Sequence, residues 1–427
     1  MKTPAALVLT DESPVTVGGL TLTERAVLLA HRAGFGPVRV WGVRALDRDR
    51  DAGLRSRGVS VIRQPPDVAP LEGAGHDEGM VIVGPNALFG PAVLADLVDY
   101  AGREGPSAAV AVSEAGAPLL LYVPRGKVAD VRSDRSIEAM VASLAASGAV
   151  RDLPLAGRFC RRVQRTDPAP SVERDYIRHL NGGEGESYFT KKIRRFSVPL
   201  TILLVRLGAR PTHVTAGGLV LALAAARFLA RGSYGGGLLG ATLYYTSMIF
   251  DCSDGEVARL TVRDSRSGAW LETMVDYLTY FLILGALTIA SQGLPGVETR
   301  RVAAAIALIG SVVVTAVTLY LRHRVAAADP GQFDDASANA LASATRFHRF
   351  ARWGRQWIKR STVAHLVVAL ALVNQLPWLL YLWAFGATVA SFVVLAVEPF
   401  VVRRVAVAPA GIRHVAADGQ GGVHPCL

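Results

Sequence analysis

The sequence predicts an α/β amino-terminal domain with a mostly parallel sheet, followed by an all-α bundle of six transmembrane helices. Hydrophobic residues make up 51% of the chain, above the usual globular balance. Uncharged apolar runs occur only in the second half, whereas the first half alternates short strand-like and helix-like stretches. A length of 427 residues leaves room for both parts.

Strand-like runs fall at 5–9, 38–41, 59–62, 80–83, 108–112 and 119–123, and helical stretches at 23–33, 91–103 and 137–146. That alternation predicts layered α/β structure over residues 1–165. Residues 166–187, with Pro168, Pro170 and the Gly182-Gly183 pair, are predicted to link it to the second half. The apolar stretch at 5–9 is too short for a signal core, so the amino-terminal half is expected in the cytoplasm.

In the second half, apolar runs at 302–321 and 378–397 are each long enough to cross a hydrocarbon core of roughly 30 Å as a helix. Shorter or weaker stretches at 211–230, 235–250, 269–290 and 362–376 bring the expected number to six. Ahead of them, residues 188–207 place Phe189, Ile193, Phe196, Leu200, Leu203 and Leu207 three and four apart, with basic residues between. This predicts an amphipathic helix lying in the membrane interface, which Pro199 should kink or divide. The bundle is then assigned to 208–405 and a tail to 406–427.

A net charge of +11 would suit nucleic acid, but the placement of the basic residues excludes that partner. They gather beside the apolar runs. Lys191, Lys192, Arg194 and Arg195 precede the first; Arg259, Arg263 and Arg266 separate the second and third. Arg322, Arg324, Arg349, Arg352, Arg355, Lys359 and Arg360 lie between the fourth and fifth, and Arg403 and Arg404 follow the sixth. The opposite loops, at 232–237 and 291–298, are almost free of Lys and Arg, so the basic ends are expected to face the cytoplasm of a multi-pass cell-membrane protein. Cys160, Cys252 and Cys426 have no metal-ligand spacing and read as ordinary thiols.

The chemistry concentrates in Asp251-Cys-Ser-Asp254-Gly255-Glu-Val-Ala258-Arg259, then eight residues, Gly268, three residues, Glu272, three residues and Asp276. On a helix, Asp251, Asp254, Gly255 and Ala258 share one face, and so do Gly268, Glu272 and Asp276 on the next. The intervening residues suffice for a turn, which brings four carboxylates together near the cytoplasmic end of the bundle. A charge at the bilayer centre costs about 2.5–3.5 kcal/mol on insertion scales, so four unpaired acids would cost on the order of 10 kcal/mol. Cations must offset that. Hard oxygen donors without His or Cys favour Mg²⁺ or Mn²⁺, and four of them suit two ions. Two ions beside a small-residue face suit phosphate chemistry, with Gly255, Ala258 and Gly268 admitting close approach of backbone and ligand.

This stretch resembles the signature of the CDP-alcohol phosphotransferase (CDP-alcohol phosphatidyltransferase) family, D-x-x-D-G-x-x-A-R, eight residues, G-x-x-x-D-x-x-x-D. Every fixed position matches except Glu272, where the family has Asp. The resemblance extends over roughly 188–404 and implies a six-helix membrane enzyme with two metal ions. It would move a substituted phosphate from a CDP-alcohol donor to an alcohol acceptor, with CMP leaving. It further implies Asp251, Asp254 and Glu272 as metal ligands and Asp276 as ligand and general base. Asp254, Gly255, Ala258, Arg259 and Gly268 would line the donor site, with Arg259 against phosphate. The extra methylene of Glu272 can move a metal by about an ångström, and misplacement of that order can cost about 10²-fold in rate. Upstream, Arg210-Pro-Thr-His213-Val-Thr215 is similar to the family's T-P-N-x-V-T entry, with His213 in place of Asn. A homodimer is implied by the resemblance alone.

The amino-terminal stretch from Pro14 to Ala26, followed by Ala33-Gly-Phe-Gly-Pro-Val-Arg-Val, resembles sugar-phosphate nucleotidyltransferases. That family's Gly-rich phosphate loop is missing after Leu9, and Val83-Gly-Pro-Asn86 stands where it has a metal-binding Asp, so the domain reads as degenerate. The fusion resembles bifunctional proteins that make CDP-inositol and join it to inositol phosphate. It points to CDP-diacylglycerol or CDP-inositol as donor type and to inositol phosphate or another polyol as acceptor, with Arg322, Arg324, Arg360 and Arg403 as acceptor contacts. Two competing readings are a catalytically impaired membrane scaffold that binds CDP-alcohols and a transporter, since intramembrane acids also mark ion pathways. The Gly and Ala positions in phase with the acids favour the transferase.

Overall fold

The computed structural model describes residues 5–10, 15–42, 48–71, 79–104, 109–114, 116–128, 131, 136–146, 150–153, 158–181, 187–325 and 360–407. The chain divides into two compact units, Met1–His179 with Leu260–Val262, and Leu180–Arg259 with Arg263–Pro409.

Strand β1 (Ala5–Leu9) is buried along its whole length and alternates between two cores. Ala6 and Val8 join one hydrophobic cluster, Ala5, Leu7 and Leu9 the other, as successive side chains of a strand must point to opposite faces. A sheet covered on both sides can use uninterrupted apolar strands, which is why these runs show no polar alternation. After the β2 (Thr16–Val17) and β3 (Leu20–Thr21) hairpin comes helix α1 (Leu22–Arg32). It is opened by a capping box in which Thr21 and Glu24 satisfy each other's backbone N–H. Strands β4 (Val38–Trp41) and β5 (Val61–Gln64) flank helix α2 (Arg48–Arg55); β6 (Met80–Val83) and β7 (Ala87–Phe89) lead into α3 (Ala92–Glu104). The unit continues with β8 (Ala109–Glu114), β9 (Ala117–Val123), α4 (Ile137–Ala145), β10 (Val150–Asp152) and β11 (Cys160–Arg162).

The main sheet has seven strands in the order β10-β8-β9-β6-β1-β4-β5. It is mostly parallel; only the pairs β6 with β9 and β8 with β9 run antiparallel. Helices α1 and α3 supply one core, α4 the other. The expected α/β layering is therefore present, with β5 displaced by two residues from the predicted strand, where Val61–Gln64 pairs in register with Val38–Trp41.

The predicted linker is partly a helix. Residues Ala169–Asn181 form α5, with Val172, Tyr176 and Ile177 buried at helical spacing and the Tyr176 hydroxyl donating to Phe89 O at 3.0 Å. Pro168 and Pro170 do not oppose it, since the first turn of a helix has no intrahelical use for its N–H groups.

In the second unit, α6 (Tyr188–Arg206) is continuous through Pro199, which is exposed. Its apolar positions share one face by helical spacing. Ile193 is fully buried, while Phe196, Leu203 and Leu207 are exposed together with Lys191, Lys192 and Arg195. The inward side carries the polar residues Thr190, Arg194, Ser197 and Thr201 beside Ile193, Val198 and Ile202.

Each of the six predicted apolar stretches lies on a helix: α7 (Pro211–Leu229), α8 (Tyr234–Leu260), α9 (Arg266–Ala290), α10 (Val297–Val325), α11 (Arg360–Leu372) and α12 (Trp378–Val407). Among the described residues, three helices are long and apolar enough to cross a membrane, Pro211–Leu229, Arg266–Ala290 and Val297–Tyr320. Counting only described residues, the apolar parts of α11 and α12 are Arg360–Leu372 and Trp378–Phe392, and α8 carries Asp251, Asp254, Glu256 and Arg259 in its last turns. Helix α11 stops earlier than predicted because Asn374, just beyond it, adopts a left-handed φ of 55°. Helices α10 and α12 pack backbone to backbone, a Cβ at Gly310 falling 2.8 Å from Ala387 Cβ. Small residues allow such close approach where apolar lipid offers no hydrophobic drive. Most of the predicted tail lies outside the described residues.

Burial pushes the Cys160 thiol up to about 12, with the nearby Glu114 charge adding to the shift. A raised pKa keeps the sulfur protonated and unreactive at neutral pH. Cys160 is expected to resist alkylation by iodoacetamide at pH 8 in the folded protein and to react once denatured, as read by peptide mass spectrometry. Ready labelling of the folded form would contradict this placement.

Candidate active site at the ends of α8 and α9

Helical periodicity puts Asp251 and Asp254 on the same side of α8, and both are buried. Asp276, on α9, is buried as well. The two helices are joined by Arg360, the first residue of α11 and only 3% exposed. Its guanidinium lies 3.2 Å from Asp251 Oδ1 and forms an ion pair with Asp276. A planar, permanently charged fork suits two carboxylates at once. Met248 Sδ lies at 3.3 Å, and the Tyr280 ring has its centroid 5.8 Å from the guanidinium carbon.

Asp254 is held differently. Thr215 Oγ1 on α7 donates to its Oδ2 at 2.7 Å, and the Gly255 N–H donates to its Oδ1 at 2.6 Å. Thr215 belongs to the entry motif of the first apolar helix, so that motif acts here by steadying a carboxylate. His213 is exposed at the start of α7. Glu272 is half-buried on α9, one turn before Asp276. Gly268 sits in the first turn of α9, where its N–H donates to the capping Ser265 Oγ at 3.1 Å.

Gly255 has a local reason. A Cβ built there would stand 3.2 Å from Arg259 Nη1, so the missing side chain leaves room for the guanidinium to fold back along α8. Ala258 is half-buried beside Arg259.

The structure thus brings Asp251, Asp276 and Arg360 together, with Asp254 one turn from Asp251. Among the described residues, no group of three or more His, Cys, Asp or Glu side chains closes into a metal-holding cluster. Carboxylate oxygens alone suit a hard divalent ion chemically. In this arrangement, however, the position between Asp251 and Asp276 is taken by the guanidinium. Arg360, expected at an acceptor site, is therefore engaged with the acids themselves. Arg322 and Arg324 fall in the last turn of α10 and Arg403 near the end of α12, with their side chains outside the described residues.

One functional group escaped sequence reasoning. Glu256 lies between the motif's fixed positions and points away from the acidic face; its carboxyl accepts hydrogen bonds from Asn181, Arg194, Ser197 and Thr201. The sequence signal was the spacing of Arg194, Ser197 and Thr201, which places three polar residues on one face of α6.

Residues 208–390 match the family model described as CDP-alcohol phosphatidyltransferase. The matched span contains the whole acidic motif and Arg360. Members of that family transfer a substituted phosphate from a CDP-alcohol to an alcohol, and over this span the chain is similar to them; the three helices long and apolar enough to cross a membrane lie within the same span. No curated protein matches the chain.

Replacing Thr215 with Val keeps the shape of the side chain and removes the hydroxyl that donates to Asp254. A hydrogen bond to a charged group contributes about 1.5–3 kcal/mol. The variant is expected to unfold at lower temperature than the wild type in detergent; an unchanged midpoint would show that the hydroxyl does not steady Asp254.

Proposed function

We propose that this chain is a metal-dependent CDP-alcohol phosphotransferase of the membrane, taking CDP-diacylglycerol or CDP-inositol as donor type and an inositol phosphate or another polyol as acceptor. What carries the reading is the family match over 208–390 together with Asp251 and Asp276 turned toward one shared cation.

In this reading Asp276 takes the proton from the acceptor hydroxyl as it attacks. General-base positioning of this kind contributes typically about 10²–10⁴-fold in rate. The acceptor oxygen forms a bond to the phosphorus that carries the donor alcohol. The bond from that phosphorus to the bridging oxygen breaks, and CMP departs with the electron pair. Arg259 contacts the donor phosphates, with Gly255 and Ala258 leaving space for them. Asp251, Asp254, Glu272 and Asp276 would hold Mg²⁺ or Mn²⁺ with the Arg360 guanidinium withdrawn from between Asp251 and Asp276, and the ions when bound would neutralise the pyrophosphate charge. Basic residues at the ends of the apolar helices favour an active site on the cytoplasmic side. The amino-terminal α/β unit is read as a degenerate nucleotidyltransferase-like domain, and the oligomer as a homodimer.

A second reading has support of its own. Arg360 paired with Asp276 and Glu272 at a position where the family has Asp both favour a CDP-alcohol-binding scaffold with impaired turnover.

Purified full-length protein in detergent, supplied with CDP-diacylglycerol or CDP-inositol, Mg²⁺ and a series of polyols and polyol phosphates, is expected to release CMP. Asp276→Asn should slow that release by about 10²-fold or more. Metal-dependent donor binding without CMP would select the scaffold. CMP release that Asp276→Asn leaves unchanged would remove the assigned base.

A further inference from the structure

The Glu256 carboxyl has no exposed surface. Its Oε1 accepts from Asn181 Nδ2 at 2.8 Å, Ser197 Oγ at 2.8 Å and Arg194 Nη1 at 3.2 Å, and its Oε2 from Thr201 Oγ1 at 2.7 Å. A carboxylate can only accept, so Asn181 must turn its NH₂ toward it. That orientation leaves Asn181 Oδ1 facing the other way. Arg259 Nη2 donates to this oxygen at 2.8 Å. With its end groups tied to Asn181 and lying over Gly255, the guanidinium keeps Nε buried and without a hydrogen-bond partner among the described residues. A buried donor left unmade costs on the order of 1–3 kcal/mol, which a phosphate oxygen would recover.

We propose that Glu256 and Asn181 are positioning residues that aim Arg259 at the phosphates of the donor. The acid sets the amide, and the amide sets the guanidinium. Neither Glu256 nor Asn181 touches the reacting atoms. The assignment rests on the reading of Arg259 as a donor-phosphate contact. It gives the variable position after Gly255 a role, since from the face of α8 opposite the acids Glu256 governs the residue that closes the same motif.

The test is a double-mutant cycle on full-length protein in detergent, with CDP as the probe and calorimetric titration as the readout. Asn181→Ala and Arg259→Ala should each weaken CDP binding by about 10-fold, the scale of one charge-assisted hydrogen bond. Together they should weaken it no further than Arg259→Ala alone, because Asn181 acts only through Arg259. Full additivity, or a wild-type CDP affinity in Asn181→Ala, overturns the positioning assignment while leaving Arg259 as a phosphate contact. Unchanged binding in Arg259→Ala overturns the donor reading of Arg259, and the assignment with it. A second pair covers misfolding of the alanine variant. Asn181→Asp sets two acids against each other and should weaken CDP binding, and adding Glu256→Gln, which returns an N–H donor to the partner of residue 181, should restore it. Failure of that rescue in folded protein contradicts the relay.

Discussion

A carboxylate removed from water must be given a cation or a full set of donors, and this requirement organises the helical unit. Asp251 and Asp276 receive the Arg360 guanidinium, Asp254 receives a hydroxyl and a backbone N–H, and Glu256 receives four donors at once. Each solution recruits a different helix. The acids of α8 thereby touch groups of α6, α7 and α11, and through Arg360 meet Asp276 of α9, beside the apolar cluster that these helices also share.

Helix α8 has two working faces. One presents Asp251 and Asp254 beside Asp276; the other seats Glu256 among the polar residues on the inward side of α6. Arg259 stands where the two meet, held by an amide that Glu256 orients and given space by Gly255. A Cβ at that position would stand 3.2 Å from the guanidinium and press it slightly outward.

Much of this was legible in the sequence where the physics is local. Helical period alone places Asp251 and Asp254 together, and the apolar stretches from Pro211 onward all became helices. Short apolar runs such as 5–9 and 80–83 became strands because both faces of the sheet are covered. The readings that failed depend on tertiary contact or on position within an element. Pro168 and Pro170 signalled a linker, yet proline is compatible with a helix start, and α5 forms. Arg194 looks like a residue that marks the cytoplasmic side and Arg360 like an acceptor contact; only the fold shows the first against Glu256 and the second between two aspartates. Lone polar residues on α6 could not announce their partner, since Glu256 lies 55 positions or more along the chain.

The cation shared by Asp251 and Asp276 is tested most directly by thermal unfolding, without divalent ions, of Arg360→Met and of the same variant with Asp251→Asn and Asp276→Asn added. Removing one partner of a buried ion pair typically costs about 3–5 kcal/mol. The single variant should therefore lose much of its stability, and neutralising the two acids should return most of it. An Arg360→Met protein as stable as the wild type would contradict the claim that these aspartates depend on a common positive charge.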